Sequence, residues 1–317
     1  MTTESLPAAL DALFDRISVL RGRQRTVSEL SGGLTNKNYR VQTDDGGDYV
    51  VRVSEASTGL LAINRDNERF NTRAAADAGV GAPVIEALPD AGVLVVGFLK
   101  GRTLTAADIG DHTTLPRVAA AVRQLHRGPA FQGRFDMRTI RRYYLSVVLE
   151  RGYQLPDDYL LLEPQVELLE DAMQIAAEPL VPCNNDLLAA NFIDDDERIW
   201  LIDYEYSGMN EASFELGNMA SESFLDVPTT QLLVSSYWEC DSVHMLARAR
   251  AWSLLARYGW TLWASIQASA SPIDFDFWAW GMQKYDSALA ELRGPEYDRI
   301  LQGLRATDWP DPHRTAQ

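Results

Sequence analysis

One polar loop between apolar segments constrains the fold of this chain more than any other stretch. The loop occupies residues 182–191, directly after a short apolar segment, and a hairpin with an Asp-rich turn at residues 194–196 follows it. The second strand of that hairpin, residues 199–202, leads straight into Asp203. Short apolar segments bounded by polar turns are typical of buried strands. The sequence therefore predicts that the loop and Asp203 lie at the mouths of buried strands.

Within this segment, Asp186 and Asn191 are separated by four residues, and Asp203 ends the next strand. This arrangement is typical of phosphoryl transfer, in which one carboxylate orients the attacking hydroxyl while an amide and another carboxylate hold Mg²⁺. Magnesium keeps waters and phosphates among its ligands, so two protein oxygens suffice. Taken alone the spacing is weak, because Asp and Asn in loops commonly form turns and caps. The strand–loop–strand setting favours the functional interpretation.

Composition excludes several classes of partner. A chain of 317 residues with 46% hydrophobic content can bury a large core and is expected to divide into two lobes. Its net charge of -16 argues against nucleic acid or an anionic membrane as partner and would attract a small cation. No signal-peptide pattern opens the chain, and the apolar run at residues 93–99 is too short to span a bilayer.

The cysteines and histidines predict no metal centre. Cys183 and Cys240 give neither a disulfide framework nor a metal-ligand cluster, and they suit a reduced cytoplasm, which is the expected location. Four histidines occur, and no catalytic triad or zinc site is predicted from them. His126 is expected to pack or cap near the end of a helix.

Hydrophobic periodicity predicts the organisation of the chain. An amphipathic helix over residues 6–20, strand-like segments and one internal helix at about 63–78 indicate an antiparallel-sheet lobe. Residues 97–102 are typical of a linker, or of backbone that pairs with an adenine edge. Further helices are predicted at about 114–127, 139–151, 163–177 and 214–225. The predicted fold class is α+β, with an N-terminal sheet lobe at 1–98 and a mainly helical C-terminal lobe at 99–317.

Two features of the first lobe suit a nucleotide. Gly32 and Gly33 let the backbone approach phosphate oxygens closely, although an ordinary hairpin turn is the alternative. Arg52 lies in the middle of an apolar strand and needs a partner, because an unpaired buried charge is costly. Glu68 on the internal helix is the expected partner, as in the kinase pair that anchors the phosphates. A plain structural ion pair is the alternative.

Two features of the second lobe suit an organic cation. The predicted helix at 214–225 carries a polar stripe of Glu215, Asn218 and Glu222; such stripes usually face solvent, with an inward-facing Glu222 as the alternative. Five of the eight tryptophans lie between residues 252 and 280. A core role is usual for any one of them. As a set they could enclose an organic cation, with each ring face contributing roughly 0.5 to 2 kcal/mol once water is excluded.

Together these motifs resemble the choline/ethanolamine kinase family, within the larger group of aminoglycoside-phosphotransferase-like enzymes. The resemblance covers residues 30–285 approximately and rests on six segments: 31–39, 50–53, 183–191, 202–207, 214–218 and 258–267. It implies a bilobal protein-kinase-like fold and an ATP- and Mg²⁺-dependent kinase that phosphorylates the hydroxyl of a small cationic alcohol. Choline is favoured, because ring faces and one carboxylate suit a trimethylammonium group, which donates no hydrogen bonds. The alternatives are the same chemistry on ethanolamine, thiamine, an aminoglycoside or a sugar, and an inactive nucleotide- or cation-binding protein.

The resemblance also implies roles for individual residues. Asp186 is implied as the catalytic base, Asn191 and Asp203 as magnesium ligands, and Glu205 as a neighbour of a second ion. The implied nucleotide contacts are the phosphate cover Gly32, Gly33, Thr35 and Asn36, the anchoring pair Arg52 and Glu68, and the adenine hinge Gly97 and Leu99. The implied pocket for the acceptor's ammonium is formed by Tyr206, Glu222, Trp260, Trp263, Phe275 and Trp280.

One position departs from the family pattern. Where the family usually has a histidine before the Asn–Asp pair, this chain has Asn184. In the resembling enzymes that histidine braces the loop, and an amide can also donate and accept hydrogen bonds. Activity is therefore expected to survive, with a slower rate or a different alcohol substrate as the alternatives.

Overall fold

The computed structural model describes residues 8–30, 36–54, 61 and 63–310. The chain divides into two compact units, Met1–Gly59 with Ala82–Lys100 and Leu60–Gly81 with Gly101–Gln317. The internal helix, predicted from the sequence to belong to the sheet lobe, is part of the second unit. The reason is its packing, because Ala74 and Ala75 are buried in the hydrophobic core of that unit.

An antiparallel sheet dominates the described part of the first unit. Its order is β1-β2-β3-β5-β4, and its strands are β1 (Arg25–Leu30), β2 (Asn36–Thr43), β3 (Asp48–Ser54), β4 (Val84–Leu88) and β5 (Val93–Gly97). Val51 lies opposite Val95, and both are fully buried. The turn between β2 and β3 includes Gly46 at φ +90°, a conformation that favours glycine.

The opening helix is shorter than its pattern predicts. The helix α1 spans Ala8–Phe14, and the chain continues in turns rather than in helix. Ile17 and Leu20 nevertheless remain buried against the sheet together with Phe14. Apolar residues at helical spacing therefore mark the buried face correctly here but overstate the length of the helix.

Helices make up most of the second unit in its described part. They are α2 (Arg65–Asp77), α3 (Ala106–Ile109), α4 (Leu115–His126), α5 (Met137–Arg151), α6 (Glu163–Gln174), α7 (Ala212–Glu222), α8 (Val227–Trp238), α9 (Val243–Ala270), α10 (Phe277–Leu292) and α11 (Pro295–Gly303). The predicted helices that correspond to α4, α5, α6 and α7 are confirmed within three residues at each end. The remaining strands are β6 (Arg102–Thr103), β7 (Leu180–Cys183), β8 (Phe192–Asp194), β9 (Ile199–Leu201) and β10 (Gly208–Glu211).

The strands of the second unit carry the polar loop. β6, β8 and β9 form one antiparallel sheet, and β7 pairs with β10 in another. β8 and β9 are the predicted hairpin, so this part of the prediction is confirmed. The loop therefore leaves one small sheet and enters the next, and Asp203 follows β9.

The 28-residue helix α9 is the centre of the second unit, and α5, α7, α10 and α11 pack around it. At Gly217 of α7, an added Cβ atom would lie 2.2 Å from the carbonyl oxygen of Ala249. Only glycine permits this approach, so α7 and α9 meet backbone to backbone. This contact fixes the position of the polar face of α7. Among the described residues, no helix combines the length and the apolar character needed to cross a bilayer.

The buried Glu178, which accepts a hydrogen bond from the backbone of Ser213 in α7, makes stability depend on pH. The Glu178 carboxylate lies 2.7 Å from Nε of Arg248, which also pairs with Glu211. Burial raises the pKa of Glu178 to about 7, although the attraction of Arg248 opposes the shift. A raised pKa means that the folded state binds the proton more tightly than the unfolded state. The stabilisation is full below the unfolded pKa near 4.5 and is lost as the pH rises through 7.

We therefore expect the Glu178 proton to contribute about 3 kcal/mol of unfolding free energy at pH 4.5, declining to none above pH 7. Denaturant unfolding between pH 4.5 and 8 gives the free energy of unfolding as a function of pH. This curve should be flatter for Glu178→Gln than for the wild-type protein. The same substitution at the exposed Glu150 is the control and should leave the curve unchanged. Parallel curves for wild type and Glu178→Gln would contradict the prediction.

Candidate active site

The polar loop is fastened by its own side chains. The backbone N–H of Asp186 donates to Oδ1 of Asn184 at 3.0 Å, and Nδ2 of Asn191 donates to the Asp186 carbonyl at 2.7 Å. Asn185 and Asp203 adopt positive φ values of 68° and 64°, which Asn and Asp tolerate better than most residues. Both backbone groups of Asp186 are thus held, and its side chain leaves a constrained loop.

Asn184 connects this loop to the strand end at Asp203. Its Nδ2 donates to the carbonyl oxygens of Ile202 at 3.1 Å and Asp203 at 2.8 Å. Its Oδ1 is the acceptor for Asp186 described above. A single amide side chain therefore links the backbones of the two aspartates, which is the bracing expected of an amide at this position.

Glu215 holds the loop from the other side. Its fully buried carboxylate accepts the backbone N–H of Asn184 at 2.8 Å and of Asn185 at 2.7 Å. It also lies 3.1 Å from Nε2 of His126. Carboxylate hydrogen bonds of this kind are about twice as strong as neutral ones. Glu215 is thus the main anchor of the loop, a role that the polar stripe alone did not reveal.

His126, Cys183 and Glu215 lie together although they are distant in sequence. Each of the three offers one atom that could ligate a metal, and these atoms lie within 4.8 Å of one another. Nδ1 of His126 bonds the Tyr237 hydroxyl at 2.7 Å, and Sγ of Cys183 lies 3.5 Å from Nε2. Burial raises the pKa of the Cys183 thiol well above its usual range. The Glu215 carboxylate already accepts hydrogen bonds from the loop backbone. We therefore interpret His126, Cys183 and Glu215 as a structural cluster that supports the loop rather than as a metal site, with His126 packed at the end of α4.

The carboxyl of Asp186 lies in a strongly negative environment. Burial raises its pKa well above the usual range. Three neighbouring carboxylates raise it further, and one ammonium opposes them. The carboxylates belong to Asp203, Glu205 and Glu222, and the ammonium belongs to Lys284. Two predicted metal ligands and the predicted ammonium partner therefore act on the predicted base, and a cation bound nearby would favour its charged form.

The predicted metal ligands have the right chemistry for magnesium. Asn191, Asp203 and Glu205 offer oxygen atoms, the donors that Mg²⁺ prefers. The amide nitrogen of Asn191 is used by the Asp186 carbonyl, so its Oδ1 is the atom available to a metal. Nη1 of Arg65 lies 3.3 Å from Glu205 and 2.7 Å from Glu68. The side chains present fit a magnesium ion with Glu205 partly balanced by Arg65.

Aromatic side chains form a connected group beside the loop. Nε1 of Trp263 donates to the Tyr206 hydroxyl at 2.9 Å, and the Tyr206 ring meets Trp260 edge to face at 5.5 Å. Trp263 meets Trp280 in the same way at 5.5 Å. Nε1 of Trp260 donates to Oδ1 of Asn218 at 2.8 Å. The polar atoms of Trp260 and Trp263 are thus satisfied inside the protein, which fixes the ring planes.

Other aromatic residues of the stretch 252–280 lie elsewhere. Trp252 is fully buried and donates to Glu211 at 3.0 Å, and Tyr258 stacks on Tyr159 at 4.0 Å. These two have the usual core role. Phe275 is 43% exposed and packs on Phe277 at 4.9 Å, which connects it to Trp263 only indirectly. The structure therefore brings Tyr206, Trp260, Trp263 and Trp280 together and leaves Phe275 at the edge.

The polar stripe of α7 faces inward. Glu215 and Asn218 are buried, and the Glu222 side chain is only 6% exposed. The usual expectation of a solvent-facing stripe is wrong here, because partners from other elements satisfy each polar group. Oε1 of Glu222 lies 2.6 Å from Nζ of Lys284. No sequence pattern singled out Lys284, although its position four residues after Trp280 places both on one face of α10.

The predicted nucleotide contacts are only partly described. Gly32, Gly33 and Thr35 lie outside the described residues. Asn36 begins β2, and Arg52 lies in β3 opposite Asn38 and Leu94. The side chains of Asn36 and Arg52 are buried. Gly97 ends β5 and Leu99 follows it. Glu68 belongs to the second unit, so its pairing with Arg52 in the first unit stays a prediction.

The model of the choline/ethanolamine kinase family matches residues 27–245 of this chain, which is more than half of its length. The chain belongs to the choline/ethanolamine kinase family. Protein LicA of Haemophilus influenzae is 29% identical over 212 residues, which cover 65% of this chain and 61% of LicA. The match thus spans less than two thirds of that relative. A probable ethanolamine kinase of Arabidopsis thaliana is 24% identical over 300 residues, covering 82% of this chain and 78% of the relative.

A solved structure agrees with this family assignment. The crystal structure of a choline/ethanolamine kinase family protein from Mesorhizobium loti superposes with a TM-score of 0.83. It is 29% identical in sequence and covers 94% of this chain and 98% of its own. The predicted protein-kinase-like α+β fold is therefore confirmed. The range that the family model matches includes the loop around Asp186, the feature from which the sequence prediction began.

Proposed function

We propose that this member of the family transfers the γ-phosphoryl group of ATP to the hydroxyl of a small amino alcohol, with choline as the first candidate. The observation that carries the proposal is the setting of Asp186. Its backbone is clamped by Asn184 and Asn191, and its carboxyl interacts electrostatically with Asp203 and Glu222. A base, a metal ligand and a cation partner in one site suit the phosphorylation of an alcohol that carries an ammonium group.

Each polar group then has a separate task. Asp186 accepts the proton of the acceptor's hydroxyl and orients that oxygen towards the phosphorus. Asn191 and Asp203 would hold Mg²⁺, which when bound would neutralise charge on the ATP phosphates, and Glu205 would act on a second ion. The proposed nucleotide contacts are the phosphate cover Gly32, Gly33, Thr35 and Asn36, the anchoring pair Arg52 and Glu68, and the adenine hinge Gly97 and Leu99.

The acceptor's ammonium is proposed to lie between the aromatic group and Glu222. Rings supply faces for a cation without hydrogen-bond donors, and one carboxylate supplies the opposite charge. This combination suits choline. Ethanolamine is the second candidate, because a primary ammonium can also donate to Glu222, and one relative is described as a probable ethanolamine kinase.

The deciding experiment measures ADP release by the purified protein with Mg²⁺ and ATP. We expect release that depends on choline or ethanolamine, at about 1 to 100 per second when saturated. Thiamine, an aminoglycoside and a sugar complete the panel and identify a different acceptor. No release above the alcohol-free rate with choline or ethanolamine would contradict the proposal.

An inactive binding protein makes a different prediction. Such a protein would be stabilised by ATP or by choline in thermal unfolding, yet neither the wild-type protein nor Asn184→His would transfer phosphate. Asn184→His restores the residue usual in the family and is therefore the appropriate comparison. Transfer by the wild-type protein rejects this alternative directly.

A further inference from the structure

We call the space between Glu222 and the Trp280 ring, where the acceptor's ammonium is proposed to bind, the cation subsite. It already contains the ammonium of Lys284. Nζ of Lys284 lies 2.6 Å from Oε1 of Glu222 and 4.3 Å from the centroid of the Trp280 ring. The two charged side chains are 5% and 6% exposed. An ammonium held by one carboxylate over an indole face is the arrangement that the acceptor's own ammonium requires. The lysine therefore uses the same two partners that the proposed acceptor would use.

The contacts of Lys284 belong to the acceptor site rather than to a remote part of the core. Lys284 and Glu222 both act electrostatically on the Asp186 carboxyl. Trp280 meets Trp263, whose indole bonds Tyr206. A cation seated at Glu222 thus lies beside the aromatic group and acts electrostatically on the proposed base. Two ammonium groups that both contacted Glu222 over the Trp280 ring would repel each other at short range.

We propose that Lys284 is a built-in competitor for the acceptor's ammonium, and that a cationic alcohol binds productively only when it displaces the Lys284 ammonium from Glu222. The inference rests on the proposed function, because it assumes an acceptor with a positive charge. A lysine suits the role chemically. Its ammonium is carried by a flexible four-carbon stem, so it can leave the carboxylate without any movement of α10.

Competition of this kind has a specific signature. An acceptor can bind only during the fraction of time in which Lys284 has left the subsite. Its apparent affinity is the intrinsic affinity multiplied by that fraction, and the fraction is the same for every cationic acceptor. A residue that contacts the acceptor directly would instead affect choline and ethanolamine differently. Binding of ATP does not involve the subsite and should not respond.

The first test compares the wild-type protein with Lys284→Met, in which a neutral side chain of similar length replaces the lysine. We expect choline and ethanolamine each to bind about tenfold more tightly or better, by an equal factor, in calorimetric titrations without ATP. In steady-state assays KM should fall for both alcohols. Lys100→Met, at an exposed lysine, is the matched control and should bind both alcohols as the wild-type protein does.

The second test uses the wild-type protein and does not depend on the folding of a variant. The chain has three lysines, Lys37, Lys100 and Lys284, so acetylation by an amine-reactive ester can be assigned by mass spectrometry. Buried and paired, Lys284 should react slowly. Saturating choline, which carries no primary amine, should raise its acetylation rate severalfold relative to Lys100, because the displaced ammonium reaches solvent.

The outcomes separate this inference from the proposed function. Equal or weaker binding of both alcohols by Lys284→Met, unequal factors for the two, or protection of Lys284 by choline would overturn the inference. Binding of neither alcohol to either chain would overturn it as well. Tighter binding by Lys284→Met without ADP release from either chain would support the competition while rejecting the kinase reaction.

Discussion

Replacing Asp186 by alanine is expected to lower kcat for the amino alcohol by roughly 10²- to 10⁴-fold, the usual contribution of a general base. The carboxylate is the group proposed to take the hydroxyl proton, and alanine offers no substitute. The loop should survive the change, because Asn184 and Asn191 bond the backbone N–H and carbonyl of residue 186 rather than its side chain. The measurement is single-turnover and steady-state ADP release at saturating ATP and alcohol.

Asp186→Asn is the matched variant, since it keeps the shape of the side chain and removes its charge. Both variants should bind ATP with nearly wild-type affinity, which a nucleotide titration by tryptophan fluorescence can show. If Asp186→Ala retained wild-type turnover, Asp186 would not be the base. If it lost ATP binding as well as turnover, the residue would act on the nucleotide site.

Replacing Glu215 by glutamine is expected to lower the free energy of unfolding by about 2–4 kcal/mol, because one of two charge-assisted bonds is lost and its donor stays buried. The carboxylate accepts the backbone N–H groups of Asn184 and Asn185 with separate oxygens. A glutamine amide offers only one oxygen, and its NH₂ group would face an N–H donor. Denaturant unfolding at pH 7 provides the measurement.

Turnover should fall together with stability, because the same two bonds position the loop that holds Asp186. The exposed Glu167 on α6 is the control site, where the same substitution should change stability by less than about 0.5 kcal/mol. A Glu215→Gln variant as stable as the control would show that the loop is held by other contacts, of which the amide of Asn184 is the foremost.

Local signals explain which elements could be predicted from the sequence. The helix α5 begins after Asp136, whose side chain accepts the N–H of Arg138, and ends at Gly152 with φ 65°. Both are standard helix boundaries that depend only on neighbouring residues. At α1 the local pattern was insufficient, because Ile17 and Leu20 are buried from turns rather than from a helix.

Without the family resemblance, the candidate site was predictable only where residues are close in sequence. Asp186, Asn191 and Asp203 follow one another around a single loop and hairpin, so their spacing together with the strand–loop–strand setting indicated phosphoryl transfer. The pairing of Lys284 with Glu222 joins residues 62 positions apart on α7 and α10. A charged residue is normally expected at the surface, and its burial becomes favourable only when a distant partner supplies the opposite charge.

By itself the sequence determined the main helices between residues 114 and 225, the hairpin after the polar loop and the resemblance to the choline/ethanolamine kinase family, because these depend on periodicity, turn chemistry and short motifs. The tertiary structure decided that the polar stripe of α7 faces inward, that Glu215 anchors the loop and that Lys284 pairs with Glu222. Those outcomes depend on how α7, α9 and α10 pack, and packing brings together side chains whose interactions no local pattern encodes.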